Sequence, residues 1–437
     1  MQKQKEKLSL TEGPIGKSLL KFALPVILSM LTAQLTTLVD TMIVGLKMDA
    51  NALAAVSNAA TLLMFFLFIS GGMELAAELL VAARKPLYSR DELSELVYNL
   101  LFVDVVIGIL MIVIGLAIFR PLLILINTPE EIVDQAMLYG IIYLCGIPFQ
   151  MVYDLSRQIL IGYGNSSTPM YFALFTSVLN IVLDLILVDP LGVAGAALAS
   201  VLAQVSGFVI SVLWLGRHLL TGRFRFSMLK KSFLKDIARL APPNAVQQLS
   251  GPIVSSIKQS LLGTIGVAAI AGFSCANKIS TFVQIPIYGT AQALVTFIAQ
   301  NDALKQEDRI RSGIRASYKI LFLLTAALAL GLILLNRPLL HLFTTDEEAI
   351  AYGAIMLTWE PITYVIQVVR HVQEARLRGR QRMSLYLTSS ISTMAVNVIA
   401  CVILVPRIGF SGFYVSSYIS SFYAILISGA FVRYAKA

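Results

Sequence analysis

The chain has 437 residues, 57% of them hydrophobic and only 14% charged, with a mean hydropathy of +0.78. That balance excludes a water-soluble globule, which would need far more polar surface around its core. The net charge of +9 would suit a nucleic-acid partner, but the placement of the basic residues excludes that class as well.

Residues 1–16 are rich in Lys and Glu and hold no apolar run, which is unlike a signal peptide. Twelve apolar stretches follow, each of about 20 residues or more and so able to cross a bilayer. They lie at 17–46, 52–82, 95–119, 131–153, 168–188 and 192–216, then at 238–263, 267–299, 314–336, 349–370, 384–405 and 409–433. Between the sixth and seventh lies a basic, Phe-containing segment with Arg217, Arg223, Phe224, Arg225, Phe226, Lys230 and Lys231. It reads either as a plain cytoplasmic connector or as an interfacial segment on anionic headgroups. Pro25, Pro148, Pro243, Pro252, Pro286 and Pro361 fall within spans and predict bends there.

Placing the termini and every second loop in the cytoplasm leaves only Lys47, Arg120, Arg337 and Arg407 outside, with Lys258 and Lys278 inside spans. The other 28 of the 34 Lys and Arg are then cytoplasmic. By the positive-inside rule both termini face the cytoplasm, and the basic charge is a topology signal.

Shifted along itself by about 217 residues, the chain meets its own pattern. Pro25 and Gly45 fall on Pro243 and Gly263, Arg120-Pro121-Leu122-Leu123 on Arg337-Pro338-Leu339-Leu340, Gly162 on Gly379, and Asn180 on Asn397. Gly192 and Gly195 fall on Gly409 and Gly412. Each half has an even number of spans, so both enter the membrane from the same side. The sequence therefore predicts an all-α membrane protein: twelve transmembrane helices in two six-helix lobes related by a parallel pseudo-twofold repeat. The lobes are 1–216 and 238–437, with a cytoplasmic connector at 217–237. Duplicated membrane halves mark secondary transporters, with sites at or near the interface of the repeats. The ionisable residues are not duplicated: Asp40 meets Lys258 and Asp184 meets Cys401.

Several stretches resemble the multidrug and toxic compound extrusion (MATE) family. They are Leu24-Pro25, Val39-Asp40-Thr41 with Val44-Gly45, Ala52-Leu53-Ala54-Ala55-Val56, Gly162-Tyr163-Gly164-Asn165 through Pro169, Asn180 to Asp184, and Gly192 to Ala199. Ala299-Gln300-Asn301 and Leu377-Arg378-Gly379 echo them in the second half. The resemblance spans nearly the whole chain and implies two lobes forming a V, with antiport of cationic or amphipathic organic compounds against Na⁺ or H⁺. It implies a coupling-ion site at Asp40, Asn180 and Asp184, joined by Tyr139 and Ser200. The chain departs from the family at Gly71-Gly72-Met73-Glu74, and at Lys258, which stands where Na⁺-coupled members of one branch carry an acid.

Depth along the spans points to the same residues independently of the resemblance. At 1.5 Å per residue, Asp40 lies roughly 9 Å from the outer end of its span, and Tyr139 and Ser200 roughly 12 Å from theirs. Asp184 is near the outer end of span five, with Asn180 one turn deeper on the same face. A charge in hydrocarbon costs about 2.5–3.5 kcal/mol, so such groups are usually buried in the bundle and functional. Two carboxyls sharing a site would hold one proton or one Na⁺ between them.

Glu74, near mid-membrane, is a candidate for contacting a cationic substrate, while Glu78 is expected to pair with Arg84 or Lys85. Lys258 either neutralises an acid such as Glu360 or contacts an anionic group of the substrate; Gln284 is a further substrate candidate, and Lys278 is equally open. His218, His341 and His371 read as loop or span-end residues without metal spacing. Cys145, Cys275 and Cys401 read as small core residues, and no nucleotide, serine-hydrolase or zinc-protease motif occurs.

The expected function is a monomeric, multi-pass antiporter of the cell membrane. It exports a small organic compound for protons by rocking of the lobes, without a cofactor, nucleic acid or enzymatic step. Na⁺-coupled export of the same class is an alternative. So is a flippase for a lipid-linked saccharide, which should carry several basic residues facing its cavity.

Overall fold

The structure, a computed structural model, describes residues 10–435, the side chain of Pro252 apart. Among these the long elements are all helices: α1 Ile15–Lys47, α2 Ala50–Arg84, α3 Arg90–Leu125, α4 Glu130–Tyr163, α5 Ser167–Leu191 and α6 Val193–His218. After a 3₁₀ turn at Phe226–Met228 come α7 Lys231–Gly263, α8 Val267–Ala303, α9 Glu307–His341, α10 Glu347–Gly379, α11 Met383–Ile408 and α12 Ser411–Tyr434. Eleven are long and apolar enough to cross a membrane. The exception, α7, has the length but carries Asn244, Gln247, Gln248, Lys258 and Gln259.

Helix number and order match the expected spans, but several helices run further. Expected to end at 153, α4 continues to Tyr163, and α10 continues from 370 to Gly379. Hydropathy marks only the length inside hydrocarbon, about 30 Å, whereas a helix also carries polar turns beyond it. The chain passes through Pro25, Pro148 and Pro286 without leaving the helix. Only at Pro361 in α10 is the helix interrupted, where the missing N–H removes a rung of the ladder.

Helix ends follow local chemistry. Asp49 accepts from the Ala52 N–H at 2.7 Å, Ser89 and Glu92 form a reciprocal capping box on α3, and Asp346 accepts from Glu348 N–H at 3.0 Å. The repeat is written into the backbone of the tightest turns. Gly192, before α6, has φ 53° and ψ −129°, and its counterpart Gly409, before α12, has φ 62° and ψ −143°. Residues with a Cβ rarely enter that region.

Two compact units emerge. The first is Leu28–Ala245; the second joins, of the described residues, 10–27 to 246–435. The division falls inside α1 and α7, just after Pro25 and Pro243, so the start of each half's first helix belongs with the other half. The exchange is reciprocal. In the first unit a Cβ on Gly72 of α2 would stand 2.7 Å from the Ala245 Cβ of α7. In the second, one on the counterpart Gly289 of α8 would stand 2.6 Å from Cγ1 of Ile27 in α1.

Within the first unit α4 is central, packed against α2, α3 and α6, and α5 packs on α6. The second unit repeats this around α8 and α10. Large apolar side chains such as Ile109, Leu110 and Val113 on α3 point outward, as expected where lipid replaces water. The connector is tied to α3: buried Asn99 donates to the Met228 carbonyl at 2.9 Å and accepts from Lys230 N–H at 3.0 Å. Tyr98 donates to the Gly222 carbonyl at 2.9 Å, and Phe224 stacks on Phe102. Glu95 holds Lys230 in an ion pair, which raises the lysine pKa.

Candidate functional site

A cavity of about 240 Å³ opens inside the first unit, walled by α1, α4, α5 and α6. Asp40, Asn180 and Ser200, three of the five expected ion-site residues, line it. Asp184, fully buried, stands behind them, and its carboxyl lies within hydrogen-bonding reach of the Asp40 carboxyl. Tyr139 is buried in the adjoining apolar core, against which Val39 and Ile181 pack, and stacks on Tyr143, with ring centres 5.9 Å apart. One turn of α5 separates Asn180 from Asp184, which puts both on the face turned toward α1 and α6. Beyond the cavity, Lys47 donates to Asp189 at 2.6 Å and to the Leu185 carbonyl at 3.0 Å, fastening the C-terminal end of α1 to α5.

The polar atoms of this site are uncommitted. Both Asp184 oxygens, one Asp40 oxygen and the Asn180 amide nitrogen have no hydrogen-bond partner. Two carboxyls in contact cannot both carry charge in a low-dielectric interior unless something positive lies between them. A shared proton meets that condition. A Na⁺ ion would find oxygen donors in Asp40, Asp184, Asn180 and Ser200, the hard ligands it prefers.

The cavity also holds polar residues that the sequence reading passed over. Gln204 of α6 donates to the Tyr143 hydroxyl at 3.1 Å, which donates to Gln150 at 3.2 Å. Toward the C-terminal end of α4, Arg157 pairs with Asp154 at 3.0 Å, and its guanidinium lies over the Tyr153 ring. The Tyr153 and Thr176 hydroxyls meet at 3.1 Å. Asp154 and Arg157 escaped notice because span four was expected to stop at 153, which made them cytoplasmic. The spacing of Tyr139, Tyr143, Gln150, Asp154 and Arg157, all on one helical face, was the signal available.

The three expected substrate residues are not gathered around this cavity. Glu74 accepts from Ser70 at 3.2 Å and is not among its lining residues. Lys258 lies in a small pocket of the second unit with Glu360, whose carboxylate accepts from Ser280 at 3.3 Å and Tyr364 at 3.2 Å. That arrangement fits charge neutralisation. Gln284, in another small pocket of that unit, accepts from Tyr288 at 2.8 Å. His371 was expected near a span end; it is instead buried within α10 against Tyr288. Of the two expected partners of Glu78, Arg84 and Lys85, Arg84 pairs with Asp236 of α7.

Known proteins share this architecture. A multidrug resistance MATE family transporter solved in an outward-facing conformation superposes with a TM-score of 0.92 at 22% identity, over 99% of this chain and 98% of that one. A transporter of the MOP superfamily from Pyrococcus furiosus, described as having a binding pocket of reversed polarity, gives 0.90 at 21% identity over 100% of both chains. Among sequence relatives, the probable multidrug resistance protein YoeA of Bacillus subtilis is 25% identical, covering 79% of this chain and 77% of its own length. The FAD transporter of Shewanella oneidensis is 22% identical, covering 82% and 81%. The model of the MatE family matches residues 25–186 and 243–403, one block in each half of the repeat. With a duplicated twelve-helix fold and both of its halves matched, the chain belongs to the MatE family of membrane transporters.

Proposed function

We propose that the protein is a proton-coupled antiporter that exports cationic or amphipathic organic compounds, with Asp40 and Asp184 holding the coupling proton. The observation that carries this reading is the contact between those two carboxyls at the wall of a polar cavity, with Asn180 and Ser200 beside them. Several relatives are described as multidrug resistance or export proteins, which supports organic export. Substrate binding and proton binding at one acidic pocket would exclude each other, the condition for exchange. A proton entering down 100 mV supplies about 2.3 kcal/mol, enough for roughly a fortyfold gradient of a neutral solute. The lobes would alternate between inward- and outward-open forms as rigid bodies.

In this reading the protein is a monomer in the cell membrane with both termini cytoplasmic, and it performs no catalytic step. Proton rather than Na⁺ coupling is favoured because Lys258 occupies the position of a possible second cation ligand in α7. A saccharide-lipid flippase is disfavoured because Arg157, the one basic residue lining the cavity, is already held by Asp154. Proteoliposome uptake of a cationic dye, with pH and Na⁺ gradients imposed separately, tests the reading. Uptake driven by the pH gradient alone supports it; uptake driven only by Na⁺ overturns the choice of ion, and no uptake under either gradient overturns cation export.

A further inference from the structure

We propose that the first unit contains a second, inner proton-binding station, formed by Asp104, Glu74 and the Asp154–Arg157 pair and joined to Asp40 and Asp184 through the cavity. The inference rests on the proton-coupled reading above and extends it from where the proton enters to where it leaves.

Its geometry begins with α4. At 100° per residue, Tyr139, Tyr143, Gln150, Asp154 and Arg157 fall within about 60° of arc, one polar stripe on the central helix. The stripe runs for about 27 Å, against a hydrocarbon thickness of about 30 Å. The cavity follows it, with Asp40 and Arg157 both in the lining. Its 240 Å³ can accommodate several waters, each needing about 30 Å³ and two or more polar partners; Tyr143, Gln150 and Gln204 supply such partners.

Asp104 is the second observation. It is 1% exposed, both of its carboxyl oxygens lack a hydrogen-bond donor, and it lies within electrostatic range of Glu74 and Asp154. These are three carboxyls and one guanidinium, which is bonded to Asp154 and lies within electrostatic range of Glu74. Arg157 balances one of them, and the remaining two charges demand protons or a cation. Among the described residues no three acidic, His or Cys side chains stand close enough to hold a metal ion, and the proton is the occupant the proposal assigns.

The elements around the station add few other charges. From α2 comes Glu78, one turn beyond Glu74; α4 adds the phenols of Tyr143 and Tyr153; α5 and α6 face it with no ionisable group besides Asp184. The start of α7 has Asp236, already taken by Arg84.

The repeat argues against a purely structural role. The counterparts of Glu74 and Asp104 in the second unit are Ala291 and Leu321, both buried. The same fold therefore forms without these two acids.

In the proposed step an O–H bond of the Asp40–Asp184 pair breaks, and the proton crosses the cavity on water. It then bonds to a carboxylate oxygen of the inner station, so one carboxylate appears as another disappears. The inner station releases the proton toward the cytoplasm.

The test uses the full-length protein, with Asp104→Asn and Glu74→Gln compared with wild type and with Asp40→Asn. Ethidium is the probe. Transport driven by a pH gradient in proteoliposomes should fall about tenfold or more in both inner variants, as expected when a positioned proton carrier is lost, while ethidium affinity in detergent stays unchanged. A pH jump on the purified protein in unbuffered detergent should show fewer protons taken up by the inner variants than by wild type.

Wild-type transport and proton uptake in Asp104→Asn would overturn the inner station. Loss of ethidium affinity without loss of coupling would overturn it too, marking a substrate subsite instead. If Asp104→Asn does not fold, Glu74→Gln decides by the same measurements. Inner variants at wild-type rate beside a dead Asp40→Asn leave the proton-coupled reading standing alone; an unaffected Asp40→Asn removes both.

Discussion

Gly162 of α4 lies so close to Glu78 of α2 that a Cβ on it would stand 2.5 Å from the Glu78 carbonyl oxygen, and the counterpart pair, Gly379 and Val295, repeats the contact at 3.0 Å. Small residues let membrane helices approach this closely, and close packing replaces the hydrophobic effect that lipid cannot supply. Gly162→Ala must push α2 and α4 apart, because a backbone oxygen cannot swing aside. We expect it to lose about 1–3 kcal/mol, read as a lower thermal midpoint in detergent. Gly379→Ala should lose stability too, since Cβ and Cγ2 of Ile298 would stand 2.7 Å away and a branched Cβ cannot swing aside either. Gly45→Ala meets nothing within 4 Å and should stabilise by about 0.4–1 kcal/mol.

Asn99 connects α3 to the connector through bonds to Met228 and Lys230, while also donating to the Glu95 carbonyl at 2.7 Å. Asn99→Leu leaves the part-buried Met228 carbonyl and Lys230 N–H without this partner, costing about 1 kcal/mol. Protease cleavage near residues 219–230 should become faster, while dye binding is kept. Unchanged proteolysis would show that the connector is held by its aromatic contacts alone.

Arg157 offers a double-mutant test. Its side chain is 21% exposed and that of Asp154 19%, so removing one partner strands the other in a partly desolvated place. Arg157→Gln alone should destabilise by about 1–3 kcal/mol, below the usual 3–5 for a fully buried pair. Adding Asp154→Asn should restore much of the loss, because no stranded charge remains. Additive losses would mean that the two residues stabilise the helix independently.

Lys47 and Asp189 make the opposite case. Asp189 is largely exposed, so the pair is screened, and Lys47→Gln should cost under about 1 kcal/mol. A larger loss in the thermal midpoint would show that fastening α1 to α5 is required for the acid pair to form.

Much of this was legible in the residues, and the rest was hidden for physical reasons. Hydropathy and a repeat of glycines and prolines revealed twelve helices in two related halves, because bilayer thickness and tight turns constrain those features strongly. Asp40 and Asp184 stood out because a charge in an apolar run is expensive, Asn180 because it lies one turn from Asp184 on the same face and fits the resemblance, and the three do come together. The exchange of the first turns of α1 and α7 was not legible: a repeat marks equal halves but not which half a helix start packs upon. Asp154 and Arg157 were hidden by ending span four at 153, just before them. Asp104 sits in a strongly apolar stretch, and its relation to Glu74 depends on helix contacts that linear spacing does not encode.

The most direct test of the central claim is proton release on substrate binding. Ethidium is titrated into the purified protein by calorimetry in two buffers of different ionisation enthalpy, for wild type, Asp40→Asn and Asp184→Asn. We predict that wild type releases a proton as ethidium binds and that each variant, still folded and still binding, releases none. Equal release from wild type and both variants would contradict the assignment of the coupling proton to these two carboxyls.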